Sequence, residues 1–254
     1  MAVAGKKPRR KSKSAAIYIF IAALLIIILA VLGISVFLKI IEIEVNGASL
    51  YSKEAIIAAS GISIGDNILF MDTKGASQNI SAIMPYINEV NIEISLPDTI
   101  MIYISETKPF AAVKYPGGAL MIDKMGRILE QSDIAPDDLI EIRGFTPTSP
   151  VVGNALQAES GDDTRLGLLN EVLAAIEREG IQNDVSYLDV SNIAYISFGY
   201  RGRFRVILGR GDYLRDKLSS LDEMIADIDE SEENDVTGTI NMSDRERWRW
   251  TPDR

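Results

Sequence analysis

Residues 89–111 read EVNIEISLPDTIMIYISETKPFA, two runs of alternating apolar and polar side chains on either side of a Pro-Asp-Thr. Val90, Ile92, Ile94 and Leu96 share one face of the first run, with Asn91, Glu93 and Ser95 on the other; Ile100, Ile102 and Ile104 share a face of the second. Period two is the strand signature, and proline at the second turn position presets φ, so the pair predicts a hairpin. Upstream, Ile41-Glu42-Ile43-Glu44-Val45 alternates in the same way and meets Asn46-Gly47, a strand closed by a turn. Between these strands, Ser52 is placed to cap a short helix, Lys53 to Ser60, with Glu54 in its first turn and Gly61 ending it. Residues 62–66 form a loop. A second helix from Thr73 to Met84 turns Ile80, Ile83 and Met84 inward and stops at Pro85. The order strand, helix, helix, strand, strand predicts a three-stranded sheet with two helices on one face.

Toward the N-terminus, Ala15 to Leu38 are 24 residues without a charge. As a helix at about 1.5 Å per residue they would cover ~36 Å, enough for a ~30 Å hydrocarbon core with some tilt. A signal-peptide core is shorter and ends at small residues, whereas here Val36-Phe37-Leu38 continue the apolar run, so the expectation is an uncleaved anchor. Lys6, Lys7, Arg9, Arg10, Lys11 and Lys13 precede the run and only Lys39 closely follows it. The positive-inside rule then places the N-terminus in the cytoplasm and residues 39–254 outside.

Toward the C-terminus, short strands are expected at 111–114, 119–123, 128–130 and 139–143, then a helix from Thr164 to Glu179 ended by Gly180. Its apolar stripe is Leu166, Leu169, Val172, Leu173 and Ile176. Strands at 185–189, 193–198 and 203–208 lead to a helix capped by Asp212, in which Leu214, Leu218, Leu221, Ile225 and Ile228 recur at helical steps. Val236–Met242 and Trp248–Trp250 read as closing strands.

Composition narrows the chemistry. The 254 residues include no Cys and no His, which excludes thiol nucleophiles, disulfides, Cys/His metal sites and an imidazole base. The formal charge is −10, and removing the six bases of the tip leaves 20 basic against 36 acidic side chains beyond residue 14. That surplus repels nucleic acid and anionic surfaces. Ser105-Glu106-Thr107-Lys108 has Ser/Lys hydrolase spacing, but on a strand positions three apart face opposite ways, and no Ser-Asp-Asn or Lys-Thr-Gly follows. Gly209-Arg210-Gly211 breaks its nucleotide-loop pattern at Leu214, and the Arg210-Gly211-Asp212 tripeptide is explained by a turn into the capped helix. Counted from Asp227, the acidic run has Glu232 where a calcium loop needs Gly, so it reads as a solvated loop. No catalytic, cofactor or metal residue is expected. Trp248 and Trp250, flanked by Arg245, Arg247 and Arg249, have two readings: core packing with arginine stacking, or anchors on an edge strand for a partner.

The uncharged run followed by IIEIEVNGASLYSKEAI (40–56), GISIGDNILFMD (61–72), the hairpin of 89–111 and LMIDKMGRIL (120–129) resembles the FtsQ/DivIB cell-division family. The first module resembles its POTRA (polypeptide-transport-associated) domain, and VILGRGDYLRDKLSSL (206–221) is similar to its strand-glycine-helix ending. The resemblance implies an α+β protein: basic cytoplasmic tail 1–14, transmembrane helix 15–38, POTRA domain 39–110, and a C-terminal α/β domain 111–254 with an exposed edge strand. It implies a non-enzymatic, single-pass protein of the bacterial cell membrane at the division septum. Outside the membrane it would bind FtsL-type and FtsB/DivIC-type proteins and through them help place septal peptidoglycan synthesis. Partner contact by strand addition would fall on Gly238, Ile240, Asn241 and Met242, with Trp248 and Trp250 on the closing strand and Tyr213 and Lys217 on the preceding helix. Ile240-Asn241-Met242-Ser243 departs from the family's frequent Ile-Asp-Leu-Arg and lacks its charges. The rival expectations are a membrane-anchored Ser/Lys hydrolase using Ser105 and a POTRA-bearing transport or sensor protein.

Overall fold

The structure, a computed structural model, describes residues 13–231, 236–244 and 247–253. Most of the basic tip, part of the acidic run (Glu232, Glu233, Asp235) and Arg245 lie outside the described residues. Helix α1 (Lys13–Phe37) is 25 residues long and exposes apolar side chains from Ile17 to Val31. Among the described residues no helix is long and apolar enough to cross a membrane. The chain is mixed α+β and divides into two compact units, residues 1–79 with 90–104, and residues 80–89 with 105–254.

In the first unit, β1 (Glu42–Asn46), α2 (Lys53–Ser60), α3 (Thr73–Ile83), β2 (Ile87–Ser95) and β3 (Thr99–Glu106) follow the expected order, and the sheet runs β1-β3-β2. β1 is parallel to β3, with Val45 opposite Ile102. Val45, Ile100 and Ile102 are buried, as are Ile56 of α2 and Ala76 of α3. Ser52 caps α2, its Oγ accepting from the Ala55 N–H at 3.2 Å, and Gly61 ends it in the left-handed region at φ 72°. After β1 the chain turns at Gly47, φ 86°, where any Cβ would stand 2.2 Å from the Ile104 carbonyl oxygen; only glycine fits. One feature was not legible as more than a loop. The Ile40 N–H donates to Asp66 O (2.9 Å), Gly65 N–H to Ile40 O (2.8 Å) and Ile68 N–H to Leu38 O (3.1 Å), so residues 65–68 pair with the segment that follows α1. The face of β2 read as apolar is only half-buried at Val90 and Ile92 and exposed at Ile94 and Leu96.

The second unit is built on one nine-stranded sheet in the order β12-β11-β10-β9-β8-β7-β4-β5-β6. Its strands are β4 (Ala111–Tyr115), β5 (Gly118–Ile122), β6 (Ile128–Ser132), β7 (Ile140–Arg143), β8 (Val185–Asp189), β9 (Ile196–Tyr200), β10 (Phe204–Gly209), β11 (Gly238–Asn241) and β12 (Arg249–Pro252). Helices α4 (Asp163–Glu179), α5 (Leu214–Ser219) and α6 (Leu221–Ser231) supply its core. Leu169, Val172, Leu173 and Ile176 of α4 are buried in one cluster with Val113, Leu120, Ile142, Leu188, Phe198, Val206 and Ile240 of the strands. This is the burial of apolar surface that drives the domain together. Gly180 closes α4, its N–H reaching the carbonyls of Ile176 and Glu177. The single helix expected after Asp212 is instead two, parted at Ser220, and the residue at its N-cap is Tyr213, not Asp212.

The Ile122–Arg127 hairpin shows why its Asp-x-x-Gly pattern matters. Asp123 is buried and its Oδ1 accepts from the N–H groups of Met125 and Arg127, both at 2.9 Å, while Gly126 takes φ 77°. Arg127 then donates to the carbonyls of Gly153 (2.9 Å), Ile87 (2.6 Å) and Ser81 (2.5 Å).

Candidate functional site

The family resemblance directs attention to the β10-β11-β12 end of the large sheet. β11 is not the edge. It lies between β10, to which it runs parallel with Phe204 opposite Gly238 and Val206 opposite Ile240, and β12, to which it runs antiparallel with Ile240 opposite Trp250. The sheet ends at β12.

The backbone shows what that edge offers. Gly238 N–H donates to Arg203 O at 3.2 Å and Met242 N–H to Ile207 O at 2.8 Å, so alternate residues of β11 point to β10. Thr239 and Asn241 therefore point to β12, opposite Thr251 and Arg249. The Asp253 N–H donates to Thr237 O at 2.9 Å, in the same phase. Trp250 and Pro252 consequently turn their backbone groups away from the sheet. Proline has no N–H, so within β12 the outward donor is that of Trp250. Pro252 was the readable signal for this: inside a sheet, proline is confined to edges.

The side chains expected to meet a partner separate into two groups. Ile240 and Met242 are fully buried in the core, and Lys217 is only 1% exposed. Gly238 is buried because a Cβ there would stand 2.5 Å from the Trp250 ring and 2.3 Å from Thr251 O; the glycine lets the indole cross β11. In this chain the side chains of Ile240, Met242 and Lys217, and the backbone of Gly238, form part of the domain's own packing. The Lys217 ammonium donates to Leu208 O (2.7 Å) and to Asp212 Oδ1 (2.9 Å). That hydrogen bond is the main reason the Asp212 carboxyl lies below its ordinary pKa. Asn241 is half-exposed and its Oδ1 accepts from Ser243 N–H (3.0 Å) and Oγ (2.6 Å), a local turn. Tyr213, at φ 53°, is 49% exposed.

Both tryptophans pack inward, which favours the core-packing reading of their rings. Trp250 meets Phe204 edge-to-face with centroids 5.5 Å apart, and Arg247 and Arg249 stay exposed. The indole N–H groups of Trp248 and Trp250 are buried without a hydrogen bond among the described residues. Arg203 donates to Asp229 Oδ1 at 2.6 Å and to Val236 O at 3.1 Å, tying α6 to the residues just before β11. The Arg203 guanidinium holds the Asp229 carboxyl below the usual range. Part of the acidic run thus has a structural partner, one the sequence alone did not show. Deeper in, the buried Tyr200 hydroxyl donates to Asp222 at 2.9 Å, and burial, then Asp222, push its pKa up.

Ser105 and Lys108 line one polar crevice of about 580 Å³ with Asn88, Lys124, Glu177 and Gln182. Lys124 there pairs with Glu177 at 2.6 Å. Ser105 lies at the end of β3, not on the helix that Ser/Lys hydrolases use to align the two groups.

Residues 38–107 match the family model described as "POTRA domain, FtsQ-type". The chain is 30% identical over 216 residues to the cell division protein DivIB of Clostridium botulinum (strain Hall), covering 85% of this chain and 82% of that one. It is 29% identical over 155 residues to the cell division protein FtsQ of Corynebacterium glutamicum, covering 57% of this chain and 69% of that one. The extracytoplasmic domain of DivIB from Geobacillus stearothermophilus matches at 15% identity and TM-score 0.32 over 51% of this chain and 99% of that one. A shared sequence over most of both lengths, with the module order seen in the structure, makes this chain a member of the DivIB/FtsQ family of cell division proteins.

Proposed function

We propose that the protein is a bitopic, non-enzymatic scaffold of the division machinery. In this reading α1 crosses the membrane with the basic tip in the cytoplasm, and residues 39–110 and 111–254 form two outer domains. The end of the large sheet receives a strand from an FtsL-type or FtsB/DivIC-type partner, through which septal peptidoglycan synthesis is placed and regulated.

The observation that supports this is the outward backbone of β12, which pairs on one side only. A free strand edge gives affinity through main-chain hydrogen bonds, while neighbouring pockets select side chains. The partner's strand would bond to the Trp250 N–H and C=O and run past Pro252.

The test is capture of the outer segments of FtsL-type and DivIC-type proteins by the full chain in detergent. Trp250→Pro removes the outward N–H together with the ring; Trp250→Leu removes the ring and keeps the N–H. With both variants folded by circular dichroism, loss of capture by the proline variant alone supports strand addition. Equal capture by both rules out this edge.

A further inference from the structure

We propose that Leu69 and Phe70 form an apolar foot that rests in the headgroup layer of the bilayer next to the end of α1. The proposal rests on the reading that α1 spans the membrane, and adds a second, peripheral contact between the first unit and the lipid.

Single exposed apolar side chains are ordinary on protein surfaces and need no explanation. Here Phe70 is 76% exposed and Leu69 52%, adjacent on one turn that follows the pairing of Ile68 with Leu38. The segment 65–68 runs antiparallel to residues 38–40: Ile68 N–H bonds Leu38 O, Lys39 bridges Asn67, and Ile40 exchanges bonds with Gly65 and Asp66. The chain then turns at 67–70, which keeps Leu69 and Phe70 next to Ile68 and so close to Leu38, the residue that follows α1. The loop is rooted by Ile40, Ile62 and Ile68, all buried.

Its own polar groups fix its shape. Asp66 Oδ2 accepts from Ser63 N–H (2.9 Å), Asn67 Oδ1 from Leu69 N–H (2.9 Å), and Asn67 O from Phe70 N–H (3.3 Å). The apolar side chains are thus held outward on a fixed turn at the one place where a spanning α1 would bring the bilayer surface.

The occupant is lipid and the attraction is apolar. Beyond residue 14 acids outnumber bases 36 to 20, so attraction of this part of the chain to anionic headgroups is not available. Insertion of aromatic and aliphatic side chains at the acyl boundary does not depend on lipid charge.

The chain has no cysteine, so single-cysteine variants of the full chain can carry one environment-sensitive fluorophore each. Labels at Leu69→Cys, Phe70→Cys, Leu25→Cys on α1 and Ile134→Cys in the second unit are reconstituted in phosphatidylcholine vesicles with nitroxide lipids, quenching at the headgroup or deep in the acyl chains. The expected result is loss of emission at 69 and 70 with the headgroup quencher, at 25 with the deep quencher, and at 134 with neither. If 25 is quenched while 69 and 70 behave like 134, the foot is refuted and the span stands. If 69 and 70 are shielded from aqueous iodide yet unquenched by lipid, a protein surface covers them and the foot is likewise refuted. If 25 is unquenched, the span falls and the foot with it.

Discussion

Lys217 carries the sharpest lesson at the scale of one residue. On a helix beside the sheet's end, a lysine reads as a solvated charge available to a partner. The structure instead buries it, with its ammonium on the Leu208 carbonyl and Asp212. Replacing it by methionine keeps the apolar stem but leaves a buried carbonyl without its donor. The expected cost is about 1–3 kcal/mol, read as a lower urea midpoint, with partner capture by the folded variant unchanged. A partner contact would reverse that pattern: stability kept and capture lost. The same contact gives a pH dependence. Asp212 and Asp229 both have lowered pKa values in the fold, from hydrogen bonds to Lys217 and Arg203 respectively. Each stabilises the fold fully above the unfolded-state aspartate pKa of about 3.9 and loses that contribution as pH falls through its lower folded value. Urea midpoints measured on the acid side should therefore drop below about pH 4, and should drop less in Asp212→Asn with Asp229→Asn, which start from a lower plateau.

At the scale of elements, most of the strands and helices were legible in the sequence, because alternation, caps and terminators act locally. Ser52, Gly61 and Gly180 do what their positions imply. What was not legible is which strand lies outermost. β11 and β12 are both short, and only their non-local pairing decides which is interior; Pro252 hinted at the answer, while Ile240 and Met242 have the same apolar character at an edge or in a core. The difference has a direct consequence. Ile240 lies in the phase of β11 that points to β10, so Ile240→Pro removes a ladder bond inside the sheet and should cost about 3 kcal/mol or more. Its urea midpoint should fall steeply, whereas Trp250→Pro, altering only the outward side of β12, loses chiefly the Phe204 contact. Equal destabilisation by the two would mean that the β11–β12 order is wrong. Arg127 was legible only as the residue after an Asp-x-x-Gly turn, yet its guanidinium reaches three carbonyls far away in sequence. Arg127→Met should speed hydrogen exchange at Ile87 and its neighbours, while leaving exchange in α4 unchanged.

For the whole molecule, the deciding property is how charge is distributed along the chain. Six bases stand before the uncharged run and only Lys39 closely behind it, followed by Glu42 and Glu44. If that asymmetry sets the orientation, exchanging the six for glutamine leaves Lys39 as the strongest positive flank and removes the bias that keeps the tip inside. The absence of cysteine makes the outcome directly readable, since Ile134→Cys places a unique thiol at a position 78% exposed. In intact cells stripped of the outer wall, a membrane-impermeant maleimide should label that thiol in the chain with its natural tip. In the glutamine chain a substantial fraction should become protected until the membrane is opened. Unchanged labelling would show that translocation of the outer domains, and not the basic tip, sets the direction. Protection of the thiol in both chains would place the sheet edge on the cytoplasmic side, where the proposed strand-donating partners could not reach it.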